Sequence, residues 1–343
     1  MVKLSELLDP WPSELWTLVK QCGVDDVVTL LEGAEQHQRW LRASGATNTE
    51  SMRGVERPWS RDAISAVVDR YAEHGLRVAA IEDTAPMDQI RLGQPGREEE
   101  LANVHEQIRA MGELGIPVLC YNWMVLGSWA RTDSEVVTRG GALTTGFRLA
   151  DAEALPPMAE PGSITHEQLW ESLCWFLERT LPIAEEAGVQ LALHPDDPPI
   201  SVVRGVPHLM SSVDAYRRLM KEFPSPSNRI TFCQGNWRLM TDDLPATIAE
   251  FLPHIAFVHF RDVEGPAEDF YETFHDLGPT DLAACMELYL EAGFDGPMRP
   301  DHVPTLVGES NAKPGYAALG RLHALGYIRG LMHALPAGRK GGR

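Results

Sequence analysis

Short apolar segments alternate with longer amphipathic segments along most of this 343-residue chain. The apolar segments are nearly continuous runs of Val, Ile, Leu and Phe, which is typical of strands buried on both faces of a parallel sheet. Such strands are predicted at 26–31, 77–82, 116–122, 189–194, 229–234, 255–260 and 297–301, with an eighth candidate at 2–8. This alternation constrains the fold most strongly, because parallel strands need long crossovers, usually helices, between them.

The segments between these strands carry helical signals. Residues 60–75 begin with Ser60, a good N-cap residue, and end at Gly75. Similar amphipathic segments with start and stop signals predict helices at 97–115, 165–188, 212–223 and 281–293. Eight strand–helix units predict an α/β fold, a single (β/α)8 barrel. The rival, a doubly wound sheet, normally has a glycine-rich phosphate loop, and the sequence contains neither GxGxxG nor GxxxxGK[ST].

The segment 124–164 is long, rich in proline and glycine, and poor in strand signals. We predict that it is an insertion after the strand that ends in "CYN", and a loop of this length on a barrel is usually functional. One domain is therefore expected over 1–335. The remaining residues, 336–343, form a basic, glycine-rich tail that we expect to be disordered.

Composition disfavours several classes of partner. The formal net charge of −19 opposes binding to nucleic acid, and no run of 18 apolar residues predicts a membrane span. The N-terminal sequence "MVKLSELLDP" lacks the basic and apolar regions of a secretory signal, and the five scattered cysteines form no CxxC pair. We therefore expect a cytoplasmic protein that acts on a small molecule. A homodimer is a further expectation, based only on how often such barrels dimerise.

Four successive strands end in residue types that commonly bind metals. "LALHP" ends near His194, "ITFCQG" contains Cys233, "FVHFRD" contains His259 and "MRPDH" contains Asp301. The intervals of 39, 26 and 42 residues each suit one strand–helix unit. Because the carboxyl ends of parallel barrel strands meet at one mouth, these four side chains are predicted to bind one metal ion there.

Each of these residues also has a simpler structural explanation when it is considered alone. His194 could pack in the core, Cys233 could be a small buried apolar residue, and Asp301 could belong to a turn. Together they favour a catalytic ion with open coordination positions, because structural zinc normally has closely spaced cysteines and histidines. The mixed donors suit Mn²⁺ or Fe²⁺, with Zn²⁺ or Co²⁺ as alternatives.

The same residues lie in stretches that resemble the metal-dependent mannonate dehydratases, a family of the xylose-isomerase-like barrels. These stretches are "CYNWM…WARTD" (120–133), "LALHPDDPP" (191–199), "FVHFRDV" (257–263), "GFDGPMRPDH" (293–302) and "PGYAALGRLHALGYIRGL" (314–331). The resemblance implies the same four metal ligands. It also implies dehydration of D-mannonate, or of a closely related aldonate, to a 2-keto-3-deoxy acid such as 2-keto-3-deoxy-D-gluconate.

The sequence departs from the family mainly around the expected substrate wall. The first strand reads "SELLDPW" where the family has aromatic and arginine residues, and Met87 stands where a polar residue is expected. After Cys233 and after His302 the chain reads "QGNW" and "VPTLVGE", which also differ from the family pattern. The resemblance therefore supports the chemistry more than the identity of the substrate.

The resemblance further implies that His302 and Tyr316 are the acid–base pair. Dehydration of a sugar acid needs one group to take the weakly acidic α-proton and another to protonate the leaving hydroxyl. We favour Tyr316 as the base, because a nearby cation would lower its pKa, although the two roles are interchangeable at this stage. The simpler roles are orientation of Asp301 by His302 and helix packing by Tyr316.

A sugar acid also needs cationic and hydrogen-bonding groups around it. The candidates near the predicted strand ends are Arg299, Arg261, Asn122, His275 and Asp196. Strand alternation could turn either arginine away from the pore, and Asp196 could simply cap a turn.

Three other functions are open from the sequence. A metal-dependent sugar isomerase or epimerase could use the same barrel and similar chemistry, although lysines are scarce near the predicted site. A non-catalytic binding protein would not need the pair His302 and Tyr316. A hydrolytic metal barrel that acts on nucleic acid is disfavoured by the charge of −19.

Overall fold

A computed structural model describes residues 2–33 and 55–335 of the chain, so the predicted tail at 336–343 lies outside the described residues. In chain order the strands are β1 (Lys3–Leu8), β2 (Asp26–Thr29), β3 (Arg77–Ile81), β4 (Val118–Tyr121), β5 (Asp133–Val137), β6 (Leu143–Arg148), β7 (Gln190–Leu193), β8 (Val202–Val203), β9 (Val206–Pro207), β10 (Asn228–Cys233), β11 (Ile255–His259), β12 (Val263–Glu264), β13 (Asp269–Glu272) and β14 (Pro297–Arg299). Eight of them close into a parallel barrel in the order β1–β14–β11–β10–β7–β4–β3–β2. The predicted (β/α)8 fold is confirmed, and every predicted strand, including the candidate at 2–8, belongs to the barrel.

The described helices follow the barrel strands as predicted. They are α1 (Glu14–Gln21), α2 (Arg61–Ala72), α3 (Asp88–Leu92), α4 (Arg97–Glu113), α5 (Leu149–Glu153), α6 (His166–Ala187), α7 (Val213–Glu222), α8 (Gln234–Met240), α9 (Leu244–Phe251), α10 (Leu282–Glu291) and α11 (Ala318–Ala334). The N-cap residues explain where several of them begin. Ser60 accepts from the N–H of Ala63, and Thr165 and Gln168 cap each other's backbone at the start of α6. None of the helices in the described ranges is long and apolar enough to cross a membrane.

Strand alternation separates the apolar residues into two layers. Inside the barrel, Leu7, Val118 and Phe257 pack with small residues such as Ala80 and Ala192. The larger layer lies between the strands and the surrounding helices. Filling the barrel with apolar side chains leaves the polar residues at the carboxyl ends of the strands, which is where functional sites of this fold lie.

The segment after β4 contains more regular structure than the sequence indicates. Strands β5 and β6 form a hairpin that joins β13 and β12 in an antiparallel sheet of order β12–β13–β6–β5. The expectation of a strand-poor insertion is therefore corrected. The pairing was missed because β13 is distant in sequence and because Gly146 interrupts β6. A Cβ at Gly146 would lie 3.0 Å from Val136 and 3.2 Å from the Phe270 carbonyl oxygen, so this glycine permits the close approach of the strands.

Candidate metal centre and active site

Strand register places three of the predicted site residues side by side at one end of the barrel. Cys233 on β10 pairs with His259 on β11, and His259 pairs with Arg299 on β14. The residue before each of them is apolar and packs in the layer between strands and helices. Because side chains alternate along a strand, all three functional side chains point toward the barrel axis.

His194 reaches the same region from the end of β7. Its backbone N–H donates to the Tyr121 carbonyl oxygen at 2.7 Å, which fixes the chain just beyond the paired strand. Its Nδ1 donates to the Pro195 carbonyl oxygen at 2.6 Å, which leaves Nε2 for another contact. The potential ligand atoms of His194, Cys233 and His259 all lie within 4.8 Å of one another.

Asp301 joins this cluster from two residues beyond β14. Its Oδ2 lies 3.6 Å from His259 Nδ1 and 3.7 Å from Cys233 Sγ. Arg299 and Arg261 donate to its two oxygens at 2.9 and 2.8 Å. Burial by itself would raise the pKa of Asp301, but the neighbouring cations, above all Arg299, hold it well below its ordinary value. The carboxylate is therefore ionised and is able to bind a cation.

The surroundings of His259 test whether a metal ion would fit this cluster. Both ring nitrogens are buried and accept or donate no well-formed hydrogen bond among the described residues, and Nε2 lies 3.4 Å from Glu82 Oε1. Burial and Arg299 lower the pKa of this imidazole, but Glu82 and Asp301 outweigh them and raise it to about 9. The site therefore favours a positive charge at His259, which a divalent ion would supply in place of the proton. Two imidazoles, a thiol and a carboxylate suit such an ion.

A second group of ligand types shares His259 with the first. Ligand atoms of Glu82, Cys120 and His259 also lie within 4.8 Å of one another. However, Arg299 donates to both oxygens of Glu82, at 3.0 and 2.9 Å. Burial also raises the pKa of Cys120 well above its ordinary value, which disfavours the thiolate form that binds metals. The group that contains Cys233 is therefore the better candidate.

The predicted acid–base residues lie together beside Asp301. The rings of His302 and Tyr316 have centroids 5.3 Å apart, and the Tyr316 hydroxyl donates to Asp301 Oδ1 at 3.2 Å. Burial lowers the pKa of His302 to about 4, whereas burial and Asp301 raise the pKa of Tyr316 well above its ordinary value. In the absence of a cation the imidazole is neutral and the phenol is protonated, so one can accept a proton and the other can donate one.

Gly315 allows His302 to occupy this position. Its φ of +83° lies in the left-handed region, and a Cβ there would stand 3.2 Å from His302 Nδ1. Its carbonyl oxygen accepts from the N–H of Val303 at 2.9 Å, which ties the loop after β14 to the residue before Tyr316. Glycine is thus favoured both by the backbone conformation and by the close approach of the imidazole.

A cavity opens at the carboxyl mouth of the barrel, next to this cluster. The predicted site residues that line it are His194, His259, Arg299, Asn122, Asp301, His302 and Tyr316. Cys233 is fully buried and does not line the cavity, although it contacts Asp301. The cavity therefore brings the predicted acid–base pair and most of the predicted ligands to one space that a small molecule could enter.

Three of the predicted substrate-binding residues are not part of this cavity wall. Arg261 is buried and is surrounded by carboxylates and by the Cys233 sulfur. His275 is also buried, and burial lowers its pKa to about 4. Asp196 is turned into the protein, where its Oδ2 accepts from the N–H of Met210 at 2.7 Å. These three side chains are buried, and Arg261 and Asp196 have protein partners, so the cavity does not bring them beside the other predicted site residues. Contact between these three residues and substrate stays a prediction.

The cavity wall also contains residues that the sequence analysis missed. Glu82, Asp83 and Arg91 follow β3, and Trp129 comes from the loop after β4. Glu82 could have been predicted from the sequence, since it follows an apolar strand in the same way as the predicted ligands do. Arg91 could not have been predicted in this way, because its place in the wall depends on the tertiary fold. Its NH2 and Nε groups donate to the Asn122 carbonyl oxygen at 3.0 and 3.2 Å.

A closed parallel barrel with histidine, cysteine and carboxylate groups clustered at its carboxyl mouth defines a barrel enzyme with a candidate metal centre. Comparison with known proteins identifies the family. The family model for D-mannonate dehydratase (UxuA) matches residues 17–159 and 158–341. The chain is 32% identical over 313 residues to a mannonate dehydratase of Enterococcus faecalis, an alignment that covers 81% of this chain and 87% of that protein.

Solved structures agree with this result. The crystal structure of mannonate dehydratase from Streptococcus suis serotype 2 superposes with a TM-score of 0.86 and 29% identity, covering 100% of this chain and 95% of that chain. An L-ribulose 3-epimerase superposes with a TM-score of 0.57 and 14% identity over 99% of this chain and 97% of its own, and therefore shares the fold alone. The chain belongs to the mannonate dehydratase family and is a hydro-lyase of the sugar-acid dehydratase type. The resemblance proposed from the sequence is confirmed.

Proposed function

We propose that this enzyme holds one divalent ion through His194, Cys233, His259 and Asp301 and converts D-mannonate to 2-keto-3-deoxy-D-gluconate. The observation that carries the proposal is the convergence of these four side chains. Three have ligand atoms within 4.8 Å of one another, and Asp301 lies 3.6 and 3.7 Å from two of them. The resident ion is proposed to be Mn²⁺ or Fe²⁺, because the donors are a mixture of nitrogen, sulfur and oxygen.

When bound, the ion supplies Lewis-acid stabilisation of the negative charge that develops on the sugar acid. The chain's own residues move the protons. We assign removal of the C2 proton to Tyr316 and protonation of the hydroxyl that leaves C3 to His302. Without a cation a neutral His302 and a protonated Tyr316 would favour the reverse assignment. We keep Tyr316 as the base because a divalent ion beside it would lower its pKa. Exchange of the C2 proton with solvent separates the two, because a variant that lacks only the acid still exchanges.

The substrate is proposed to lie in the cavity at the barrel mouth. Arg299 and Asn122 remain the proposed contacts from the sequence analysis, and Arg91 is added because its guanidinium is part of the same wall. Asp83 and Asp197 provide carboxylates that can accept from sugar hydroxyls. Since the sequence also departs from the family pattern at several positions, a closely related aldonate is included in the proposed substrate class.

The cellular setting is part of the same proposal. A cytoplasmic location suits an enzyme that needs a reduced Cys233, and all five cysteines are unpaired. The charge of −19 supports a small-molecule substrate rather than nucleic acid or a membrane as partner. A homodimer is proposed by analogy with other barrels, and light scattering on the purified chain measures it directly.

The function is tested with the Mn²⁺-loaded protein and a panel of aldonates and uronates. Formation of a 2-keto-3-deoxy acid is followed by a colour assay. D-Mannonate, or a close hexonate or pentonate, is expected to give product, and a chelator is expected to stop the reaction. Appearance of an isomerised sugar without loss of water would instead establish the isomerase alternative.

A further inference from the structure

Arg261 lies directly behind two of the proposed metal ligands. Its Nε is 3.2 Å from Cys233 Sγ and 2.8 Å from Asp301 Oδ2. The side chain is about 1% exposed, so water does not compete for these contacts. The Nε–H of Arg261 therefore lies between the Cys233 sulfur and the Asp301 carboxylate, and it limits the movement of both groups.

The rest of the guanidinium is held equally firmly. NH1 donates to both oxygens of Glu272 at 2.8 and 2.7 Å, and NH2 donates to Asn236 Oδ1 at 2.7 Å. A Cβ on Gly235 would lie 2.3 Å from NH1 and 2.7 Å from the guanidinium carbon. Gly235, at the start of α8, thus leaves the space that the Arg261 guanidinium occupies, and a side chain at position 235 would fill that space.

A second buried arginine belongs to the same network but does not reach the ligands. Arg131 donates to both oxygens of Asp197, at 2.7 and 2.9 Å, and to Glu272 at 2.7 Å. In the described part of the chain, Arg131 makes no hydrogen bond or ion pair with Cys233 or Asp301. Arg131 and Arg261 therefore share burial, charge and the partner Glu272, and they differ in contact with the proposed ligands.

We propose that Arg261 is a positioning residue of the metal centre, which sets the spacing between the Cys233 sulfur and the Asp301 carboxylate. Because Glu272 lies on β13, the same guanidinium also connects the metal centre to the β12–β13–β6–β5 sheet. This inference rests on the proposed function, since it requires Cys233 and Asp301 to be ligands. It replaces the substrate-binding role that the sequence analysis gave to Arg261.

The test compares Arg261→Lys with Arg131→Lys in the full chain. Both substitutions keep the positive charge, but lysine cannot hold three partners in a fixed plane as arginine does. Mn²⁺ affinity is measured by competition with a chelator, and Co²⁺ is used as a probe because a cobalt–thiolate bond gives a charge-transfer absorption. Arg261→Lys is expected to weaken Mn²⁺ binding about 10–100-fold and to reduce the cobalt–sulfur band. Arg131→Lys is expected to keep both close to wild type.

Asn236→Ala provides a milder version of the test that leaves the arginine in place. It removes one anchor of the guanidinium without changing charge, and it is expected to weaken Mn²⁺ binding about threefold to tenfold. If Arg261→Lys fails to fold, this variant decides the question. Wild-type affinity and an unchanged cobalt band in a folded Arg261→Lys, or in Asn236→Ala when only that variant folds, overturn the inference. Absence of the cobalt–sulfur band in the wild type overturns the proposed site itself.

Discussion

Glu82 holds Arg299 with both of its carboxylate oxygens, at 3.0 and 2.9 Å, and the same guanidinium donates to Asp301 at 2.9 Å. The end of β3 is thereby connected across the barrel mouth to a proposed ligand that follows β14. Glu82 also lies 3.4 Å from His259, where its charge favours a cation. A residue outside the predicted ligand set therefore influences two of the proposed ligands.

Substitution of Glu82 by glutamine tests this connection. Glutamine keeps the shape of the side chain but removes the charge that favours a cation at His259 and weakens the hold on Arg299. We expect Mn²⁺ affinity to fall about tenfold, within the range typical for residues that support metal ligands. Metal titration of the purified variant measures the change. Glu113→Gln, which alters an exposed carboxylate paired with Arg61, should bind metal like wild type.

Removal of the Tyr316 hydroxyl tests the acid–base assignment. Tyr316→Phe keeps the ring that packs beside His302 and deletes the group that donates to Asp301. We expect kcat to fall about 10²–10⁴-fold while the protein still folds and binds metal. His302→Asn should cause a similar loss of kcat. Exchange of the substrate C2 proton is predicted to persist in His302→Asn and to stop in Tyr316→Phe, and the opposite pattern would reverse the assignment.

Gly315 provides a test of how precisely His302 must be placed. Gly315→Ala puts a methyl group 3.2 Å from His302 Nδ1 at a φ of +83°, which alanine adopts only with strain. We expect a loss of about 1 kcal/mol or more in the free energy of unfolding. We also expect a larger reduction in kcat than in metal affinity, because the imidazole is displaced and His194, Cys233 and His259 are not. Wild-type kcat in this variant would show that the position of His302 does not limit the reaction.

Substitution of Arg91 tests whether this residue, which the sequence analysis did not predict, is part of the substrate-binding wall. Arg91→Met removes a buried guanidinium that is proposed to donate to the sugar acid. A hydrogen bond to a charged group is worth about 1.5–3 kcal/mol, so KM should rise roughly 10–100-fold with little change in metal affinity. Arg77→Met is the control, because Arg77 pairs with Asp26 at the opposite end of β3. An unchanged KM in Arg91→Met would remove this residue from the proposed substrate wall.

The barrel and the proposed ligand cluster could be predicted because both depend on simple periodicities. Apolar runs marked the strands, and His194, Cys233, His259 and Asp301 stand at or just beyond strand ends, where the fold brings them together. The loop residues could not be assigned in the same way. Asp196 and Asp197 are adjacent in sequence, yet one accepts from the backbone of Met210 and the other lines the cavity. No periodic pattern distinguishes two such neighbours.

The arginines show a second limit of sequence reasoning. Arg261 and Arg299 both lie near ligand strands and both suit an anionic substrate, but their actual partners lie on or next to other helices and strands of the fold. Glu272 and Asn236 surround Arg261, and Glu82 is 217 residues from Arg299. Such pairings depend on which loops meet above the barrel. The β12–β13–β6–β5 sheet that carries Glu272 was also not predicted, so the contacts of Arg261 with this sheet could not be predicted either.

The most direct test of the metal centre compares two buried cysteines inside the same barrel. Cys233 belongs to the preferred ligand group and Cys120 to the alternative group, and both groups share His259. Metal content and Mn²⁺ affinity are measured for Cys233→Ala and Cys120→Ala beside the wild type. We predict one ion per chain in the wild type and near-normal affinity in Cys120→Ala. In Cys233→Ala we expect a loss larger than the roughly 10–100-fold cost of losing a residue behind the ligands. Full metal binding by Cys233→Ala, with loss of the ion from Cys120→Ala, would show that Cys233 is not a ligand.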